Sequence, residues 1–510
     1  MMRDSVRFAV GLLMASALTA PAGAAPAGLT APVPNARELP TTATSHPYVA
    51  SKHNLVPLDL ATVGYEEVET LVSGKANVYD WGAAGRPAVK TADVPYATRI
   101  LVRRPADKAK FSGNVVVELM YDARSADWAM VWGYLAPKTV RDGDVWVGVT
   151  LPKSTIALKK FDAVRYADVG FAPPAPLGCK TGEGGDTIEE GLRFDMLAQV
   201  AALLKSAATG NPLAGYGPDR RLFMAEQGVD IATYANLFQP LVRLAGGAPT
   251  YDGFILKGNQ AGVMAKLNHC AQTVPATDAR ATFRPNGTPM VTLLSPGEVV
   301  GSLATQRADS DDKADPYRRY EVAAGNHLDH WSYIGFPSLE DQQKAGVLQG
   351  TADWPFTARC TPETRLSVNP VMRYIWGSTV TNLGAWVKNG TPPPRGGRIA
   401  LKPGPNGTQL VQLDAKGHAV GGVRTVFSDL PTSVDALSAP GPGNCREIGD
   451  TYEYGWAYLN SLYGSPQAYT SKARARVDAD AKARWLTAGD AAAWKAELAA
   501  PVEPPVVPAS

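Results

Sequence analysis

The sequence predicts an α/β fold in which a doubly wound, mostly parallel β-sheet follows an antiparallel β-layer. Three observations carry this prediction. The 510 residues are 45% hydrophobic and 19% charged, which is typical of globular chains. Residues 55–103 alternate apolar and polar side chains in short runs, which indicates antiparallel strands. From residue 113 onward, short apolar runs alternate with segments of helical length, which indicates a parallel sheet covered on both faces.

Each element is predicted from its own pattern. Antiparallel strands are expected at residues 65–72 and 99–102, where apolar and polar residues alternate. The near-continuous apolar runs predict buried strands at 114–120, 145–150, 221–224, 254–256 and 290–294, and another strand ends at Val322. Helices are expected over 128–140, 186–207 and 231–244, and apolar residues of 186–207 recur at helical spacing.

The amino-terminal segment has the pattern of a secretory signal peptide. Arg3 and Arg7 precede an apolar run without charges from Phe8 to Ala20, and small residues follow at 22–24. This run is too short to span a bilayer, so we expect residues 1–24 to be removed and the protein to be secreted or periplasmic. The rest is predicted as a linker at 25–54, one domain at 55–500 with insertions near 167–190 and 331–368, and a Pro-rich tail at 501–510. The 49 glycines and 41 prolines fit such long loops.

Charge and cysteine content restrict the partners. The net charge is +2, without a basic stripe, which argues against a nucleic-acid partner and fits a small or uncharged ligand. Four cysteines, Cys179, Cys270, Cys360 and Cys445, permit two disulfides with three connectivities. No CxxC pair, HExxH motif or phosphate-binding glycine loop occurs, so no metal or cofactor is expected. His46 and His53 lie near the amino-terminal end and are not part of any metal-binding motif in the sequence.

Chemistry-bearing residues follow three of the predicted strands. Ala225-Glu226-Gln227 follows the strand at 221–224, Glu298 follows the strand at 290–294, and His327 follows the strand ending at Val322. A strand-to-helix turn, then an acid, then a histidine is the chain order of a hydrolase triad. His330, three residues further on, is the alternative histidine.

Longer stretches resemble a family of bacterial, usually exported α/β-hydrolase domain proteins with esterase-like features. The resemblance covers residues ~55–495 and is carried by YEEVETLVSGKANVY (65–79), YATRILVRRPAD (96–107), GNVVVEL (113–119), RDGDVWVGVT (141–150), FDAVRY (161–166), DIATYAN (230–236), YDGFILKG (251–258), TPMVTLLSPGEVVG (288–301), YEVAAGNHLDH (320–330), WVKNGTPPP (386–394) and GGVRT (421–425). It implies an α/β-hydrolase fold and a site of the carboxylic-ester hydrolase type.

One departure from the family pattern concerns the nucleophile. The family carries a G-x-S-Q elbow just before the helix that matches DIATYAN. Counting back without a gap puts Ala225 at the serine position and Phe223 at the first glycine. Alanine has no lone pair, so no acyl-enzyme can form on it. No G-x-S-x-G occurs elsewhere. Ser125 and Ser295 are the substitutes that the sequence offers.

The resemblance also implies roles for the other residues of the site. His327 would be the base and Glu298 the acid that orients it. Backbone N–H groups of Glu226 and Gln227, with the loop at Tyr121 and Asp122, would stabilise an oxyanion. Three functions therefore stay open: a secreted carboxylic-ester hydrolase, a catalytically inactive hydrolase-fold protein that binds an ester-like small molecule, and an enzyme without a covalent step in which His327 activates water or deprotonates a ligand.

Overall fold

The structure, a computed structural model, describes residues 28–179, 187–226, 228–258, 264–275, 277–284, 286–348, 360, 364–437, 445 and 448–498. The predicted signal peptide, the tail at 501–510, Gln227 and parts of both predicted insertions lie outside these ranges.

The strands among the described residues, in chain order, are β1 (Leu29–Thr30), β2 (Asn35–Glu38), β3 (Tyr65–Trp81), β4 (Pro87–Pro105), β5 (Asn114–Leu119), β6 (Val145–Val149), β7 (Arg221–Glu226), β8 (Val242–Arg243), β9 (Gly253–Lys257), β10 (Met290–Leu294), β11 (Tyr317–Glu321), β12 (Leu401–Pro403), β13 (Gln409–Val411), β14 (Ser433–Ala436) and β15 (Asp450–Glu453). The α-helices are α1 (Met130–Asp142), α2 (Thr155–Phe161), α3 (Arg193–Lys205), α4 (Asp230–Thr233), α5 (Pro296–Gly301), α6 (His330–Tyr333), α7 (Leu339–Lys344), α8 (Val371–Asn389), α9 (Val426–Asp429), α10 (Trp456–Tyr463), α11 (Pro466–Lys482) and α12 (Ala488–Glu497).

A nine-stranded mixed sheet organises the described chain, in the order β11-β10-β9-β7-β5-β6-β4-β3-β2. The six strands from β11 to β6 are mutually parallel, whereas β4, β3 and β2 are antiparallel to their neighbours. The predicted fold class is therefore confirmed, with the antiparallel layer forming one end of the same sheet. Because the parallel strands share one direction, the turns after β7, β10 and β11 all leave from the same edge.

Helices cover both faces of the sheet, which is why its central strands are apolar throughout. Alternate residues of one strand enter different cores: Phe223 and Ala225 pack on the face covered by α1 and α8, whereas Leu222 and Met224 pack on the face covered by α3. All four side chains are completely buried. This period-2 alternation fixes the register of β7, and with it the position of everything that follows the strand.

Residues 28–54, predicted as a linker, pack on the domain. Their first strand, β1, pairs with β8, and β2 adds to the edge of the large sheet along β3. Tyr48 and Val49 are completely buried.

The predicted helix over 231–244 is shorter in the structure. It comprises α4 and one π-helical turn at Tyr234–Phe238, and the chain then enters β8. Pro240 follows this turn and lacks the N–H that a continuing helix needs. Val242 and Arg243, which were predicted to be helical, form β8 and pair with β1.

All four cysteines form disulfides, Cys179–Cys270 and Cys360–Cys445, which is one of the three connectivities that the even count permits. Within the described ranges, no helix is both long and apolar enough to cross a membrane.

Removing the Cys179–Cys270 disulfide is expected to lower the free energy of unfolding by about 2–5 kcal/mol. The bond joins cysteines 91 residues apart, so it restricts a large loop of the unfolded chain. Urea unfolding of the Cys179→Ala/Cys270→Ala variant in non-reducing buffer measures the effect. An unchanged midpoint and slope would contradict it.

Candidate active site

Glu298 and His327 meet at the edge where the parallel strands end. Glu298 lies in the first turn of α5, directly after β10, and its Oε2 accepts a hydrogen bond from the N–H of Ser295 at 2.5 Å. His327 follows the neighbouring strand β11, and its Nδ1 hydrogen-bonds to Oε1 of Glu298. Glu298 is completely buried, whereas the His327 side chain is 17% exposed. Since Nδ1 faces the carboxylate, any chemistry of this ring passes through Nε2.

A buried lysine completes this pair, and sequence reasoning missed it. Lys257 ends β9, the strand beside β10, and its Nζ lies 3.6 Å from Oε1 of Glu298. The same ammonium group donates to the backbone oxygen of His327 at 2.5 Å. One side chain therefore contacts both partners of the pair. The detectable signal was a lysine at the carboxyl end of an apolar strand, since a buried lysine requires a partner.

Charge keeps Glu298 ionised in spite of its burial. Burial alone raises the pKa of Glu298, but Lys257, His327 and the N–H of Ser295 together lower it to about 2. The carboxylate therefore accepts a hydrogen bond from the imidazole at neutral pH and fixes the orientation of the ring.

Gly258 explains how the three groups approach so closely. It follows Lys257 with φ of +77°, and a Cβ there would collide with Oε1 of Glu298 and lie 3.3 Å from Cε1 of His327. Only glycine accommodates both this backbone conformation and this contact.

Gly258→Ala is therefore expected to separate Glu298 from His327, with a larger loss of stability than the backbone strain of about 1–2 kcal/mol. Gly390→Ala is the matched control, because Gly390 has φ of +67° and no atom lies within 4 Å of the place that its Cβ would take. Urea unfolding of both variants compares the losses. Equal losses would contradict a special role for the contact at Gly258.

The structure places Ala225 within β7. Its backbone pairs with Glu118 of β5 and with Ile255 of β9, and the strand continues to Glu226. The side chain is completely buried in the core shared with α1 and α8. The position that the gapless count assigns to the nucleophile thus carries neither a hydroxyl group nor exposed surface.

Comparison with known proteins shows which family has this arrangement of strands and turns. The family model described as "Alpha/beta hydrolase domain" matches residues 29–496. The chain belongs to this family. No curated protein matches it.

Solved structures that resemble this hydrolase-family chain do so at low identity. One is an α/β serine hydrolase without lid from Xanthomonas campestris, at 12% identity and TM-score 0.23, covering 54% of this chain and 92% of that chain. Another is a fungal esterase from Rhizomucor miehei, at 11% identity and TM-score 0.28, covering 65% of this chain and 91% of that one. A glucuronoyl esterase from Solibacter usitatus has 10% identity and TM-score 0.28, covering 62% and 87%.

In this member of the family, a buried carboxyl group stands where β7 ends. Oε2 of Glu226 accepts the N–H of Ile231 at 2.9 Å, at the start of α4. Burial, followed by the charges of Asp230 and Asp122, raises the pKa of Glu226 well above its usual range. The turn that follows β7 therefore begins with a carboxyl group shifted towards its neutral form, a feature that sequence reasoning did not predict.

Two ion pairs surround this carboxyl group. Asp230 accepts from Nε of Arg193 at 2.6 Å, and Asp122 lies 3.3 Å from Nζ of Lys153. Burial raises the pKa of Asp122 to about 6, although Lys153 opposes the shift. The structure thus brings Asp122 and Glu226, both predicted pocket residues, into one electrostatic neighbourhood at the carboxyl ends of β5 and β7.

The remaining predicted residues lie in differing environments. Tyr121 is 40% exposed, and its N–H already donates to the backbone oxygen of Trp128 at 3.1 Å. Ser125 and Ser295 are both buried. His330 begins α6, where its N–H donates to the backbone oxygen of Ser367 at 2.8 Å, and burial lowers its pKa. Gln227 lies outside the described residues.

Proposed function

We propose that this α/β-hydrolase family member is an exported hydrolase of small ester-like molecules that acts without a serine acyl-enzyme, His327 activating water directly. One observation carries the proposal. Nδ1 of His327 is held by a buried, ionised Glu298 that Lys257 also contacts. A buried ion pair adds little net stability to a fold. The arrangement is instead suited to holding the imidazole of a base in one orientation.

The proposed hydrolysis passes one proton to Nε2 of His327 and back again. Nε2 of His327 takes a proton from water while the water oxygen bonds to the acyl carbon and the carbonyl electron pair moves to oxygen. The tetrahedral oxyanion then reforms the carbonyl and expels the alkoxide, which takes the proton back from Nε2. Ester and water become carboxylic acid and alcohol, and the imidazole returns to its starting state.

Export is part of the proposal and has two supports. The first is the signal-peptide pattern of residues 1–24. The second is that the described cysteines are paired in disulfides, which persist in oxidising compartments.

A second candidate function is favoured by Ala225. A buried alanine in the strand that precedes the elbow supports a protein that retains the pocket to bind an ester-like ligand without turning it over. In that case Glu298 and His327 would contribute hydrogen bonds to the ligand and no proton transfer.

Hydrolysis of a short-chain p-nitrophenyl ester, with and without a fluorophosphonate probe, distinguishes these functions. The proposal requires turnover that the probe does not block. Turnover lost on labelling of Ser125 or Ser295 would overturn it in favour of a covalent serine enzyme. Turnover no faster than buffer, with an ester-induced rise in melting temperature, would overturn it in favour of binding.

Ala225→Ser is the matched variant for the nucleophile position. Because Ala225 is buried inside β7, the variant is expected to remain unlabelled by the probe and to lose about 1–3 kcal/mol of stability from an unsatisfied hydroxyl group. Labelling of this variant alone would show that the position faces the pocket.

A further inference from the structure

The structure brings together two histidines that look isolated in the sequence. His46 lies in the chain segment before the short helical turn Ser51–His53, which His53 ends. Their rings stack with centroids 3.6 Å apart and planes 13° from parallel. Asp341, in the first turn of α7, lies beside them, with Oδ2 3.1 Å and Oδ1 3.3 Å from Nε2 of His46. One ligand atom from each of the three residues lies within 4.8 Å of the others.

Asp341 is a buried carboxylate that lies beside a partly exposed imidazole. Its side chain is 1% exposed, whereas His46 is 21% exposed. Among the described residues, His46 is the ion-pair partner of this carboxylate, and an imidazole is charged only when protonated. A buried carboxylate beside two imidazole rings is a set of groups that a cation can bind.

We propose that His46, His53 and Asp341 bind one divalent transition-metal ion of the Zn²⁺ class. Two imidazole nitrogens and one carboxylate oxygen form a ligand set that suits such ions and leaves at least one position for water. The site is independent of the proposed hydrolysis, because none of its residues belongs to the Glu298–His327 pair.

The geometry fits a tetrahedral ion once the ring of His53 turns out of the stack. Bonds of about 2.1 Å place neighbouring ligand atoms about 3.4 Å apart. His46 and Asp341 already have this separation, at 3.1–3.3 Å. Nearly parallel rings do not point their lone pairs at one centre, so metal binding opens the stack and brings His53 towards Asp341.

Backbone contacts hold the two ligand-bearing segments together. The N–H of Ser338 donates to the backbone oxygen of His53 at 2.7 Å, and the N–H of Leu55 donates to that of Phe336 at 2.8 Å. The N–H of Asp341 donates to Oγ of Ser338 at 3.2 Å. A bound ion would therefore join the amino-terminal segment to α7 through a frame that already exists.

The experiment uses the full chain without a histidine tag, freed of metal by a chelator. Titration with ZnCl₂ by calorimetry and with CoCl₂ by visible absorption is expected to show one ion per chain. His46→Gln and His53→Gln, both at partly exposed positions, are each expected to weaken binding at least tenfold and to abolish the Zn²⁺-induced rise in melting temperature. His330→Gln is the control, because it removes one histidine outside the site.

Two results would overturn the proposal. One is a wild-type protein that binds no more Zn²⁺ than the His46→Gln/His53→Gln double variant. The other is binding that persists in the double variant and disappears in His327→Gln, which would place the ion at the candidate active site. Circular dichroism of each variant checks that the fold is kept, and the cobalt spectrum of the wild-type protein tests for imidazole ligands without any substitution.

Discussion

His327→Gln is expected to reduce kcat/KM for a short-chain aryl ester by about 10²–10⁴-fold, the usual contribution of a positioned acid–base group. The proposed mechanism routes every proton transfer through Nε2 of this ring, and a glutamine amide cannot accept that proton. Stability is expected to change far less, because the side chain is 17% exposed and an amide can still donate to Glu298. Steady-state kinetics and thermal unfolding of the same preparation measure both quantities.

His330→Gln is the matched control for this prediction. His330 lies three residues further along the chain and is also partly buried, but it is His327 whose Nδ1 contacts Glu298. The control should retain turnover within a few fold of the wild-type protein. If both variants lose activity equally, or if neither does, the measured hydrolysis arises from non-specific side chains and His327 is not the base.

The central part of the fold could be predicted because it depends on the spacing and the polarity of side chains along the sequence. The apolar run at 114–120 and the strand that precedes Ser295 are buried on both faces, and a strand buried in this way needs helices above and below. The acid–histidine pair could also be predicted from the sequence, since Glu298 and His327 follow strands that lie side by side in the sheet. Their order in the chain and the shared direction of parallel strands were sufficient to predict that these two residues lie at the same edge of the sheet.

Residues whose roles depend on distant parts of the chain could not be found in this way. His46 and Asp341 are 295 positions apart, and no local pattern connects them. Lys257 becomes significant only when β9 is known to lie beside β10. The packing of residues 28–54 depends on strand partners at 70–73 and 242–243, so their composition alone indicated a linker.

The nucleophile position shows a different limit of sequence reasoning. A gapless count assigns it to Ala225, and the register of β7 places that residue inside the strand. A shift of one residue along a strand exchanges its two faces, so counting alone cannot distinguish a residue in the turn from a residue in the core. The last residue of the strand is Glu226. A serine elbow would carry a hydroxyl group near this point, whereas Glu226 carries a buried carboxyl group.

Lys257→Met is expected to lower the free energy of unfolding at pH 7 by about 3–5 kcal/mol, the usual cost of removing one member of a buried ion pair. The methionine fills a similar volume, so the loss reports on charge: Glu298 keeps its burial but loses the ammonium group 3.6 Å from its Oε1. Lys205→Met is the control, because the Lys205–Asp252 pair is about 20% exposed on each side and should be worth no more than about 1 kcal/mol. Urea unfolding of both variants gives the comparison.

The pH dependence of Lys257→Met tests the same contact independently. The folded-state pKa of Glu298 is about 2, below its ordinary value of 4.5, so the ionised carboxylate stabilises the wild-type fold above pH 4.5 and loses this contribution as the pH falls towards 2. Without Lys257, burial is opposed by His327 and Ser295 alone, and the pKa of Glu298 rises. The acid-induced loss still begins near the unfolded-state pKa of 4.5, but it becomes smaller and is complete at a higher pH. In Lys257→Met/Glu298→Gln the buried charge is gone, so the double variant should recover part of the stability at pH 7. A double variant less stable than Lys257→Met, or identical pH profiles for Lys257→Met and the wild-type protein, would show that Lys257 acts through packing and its bond to the backbone of His327, and that Glu298 does not depend on it for its charge.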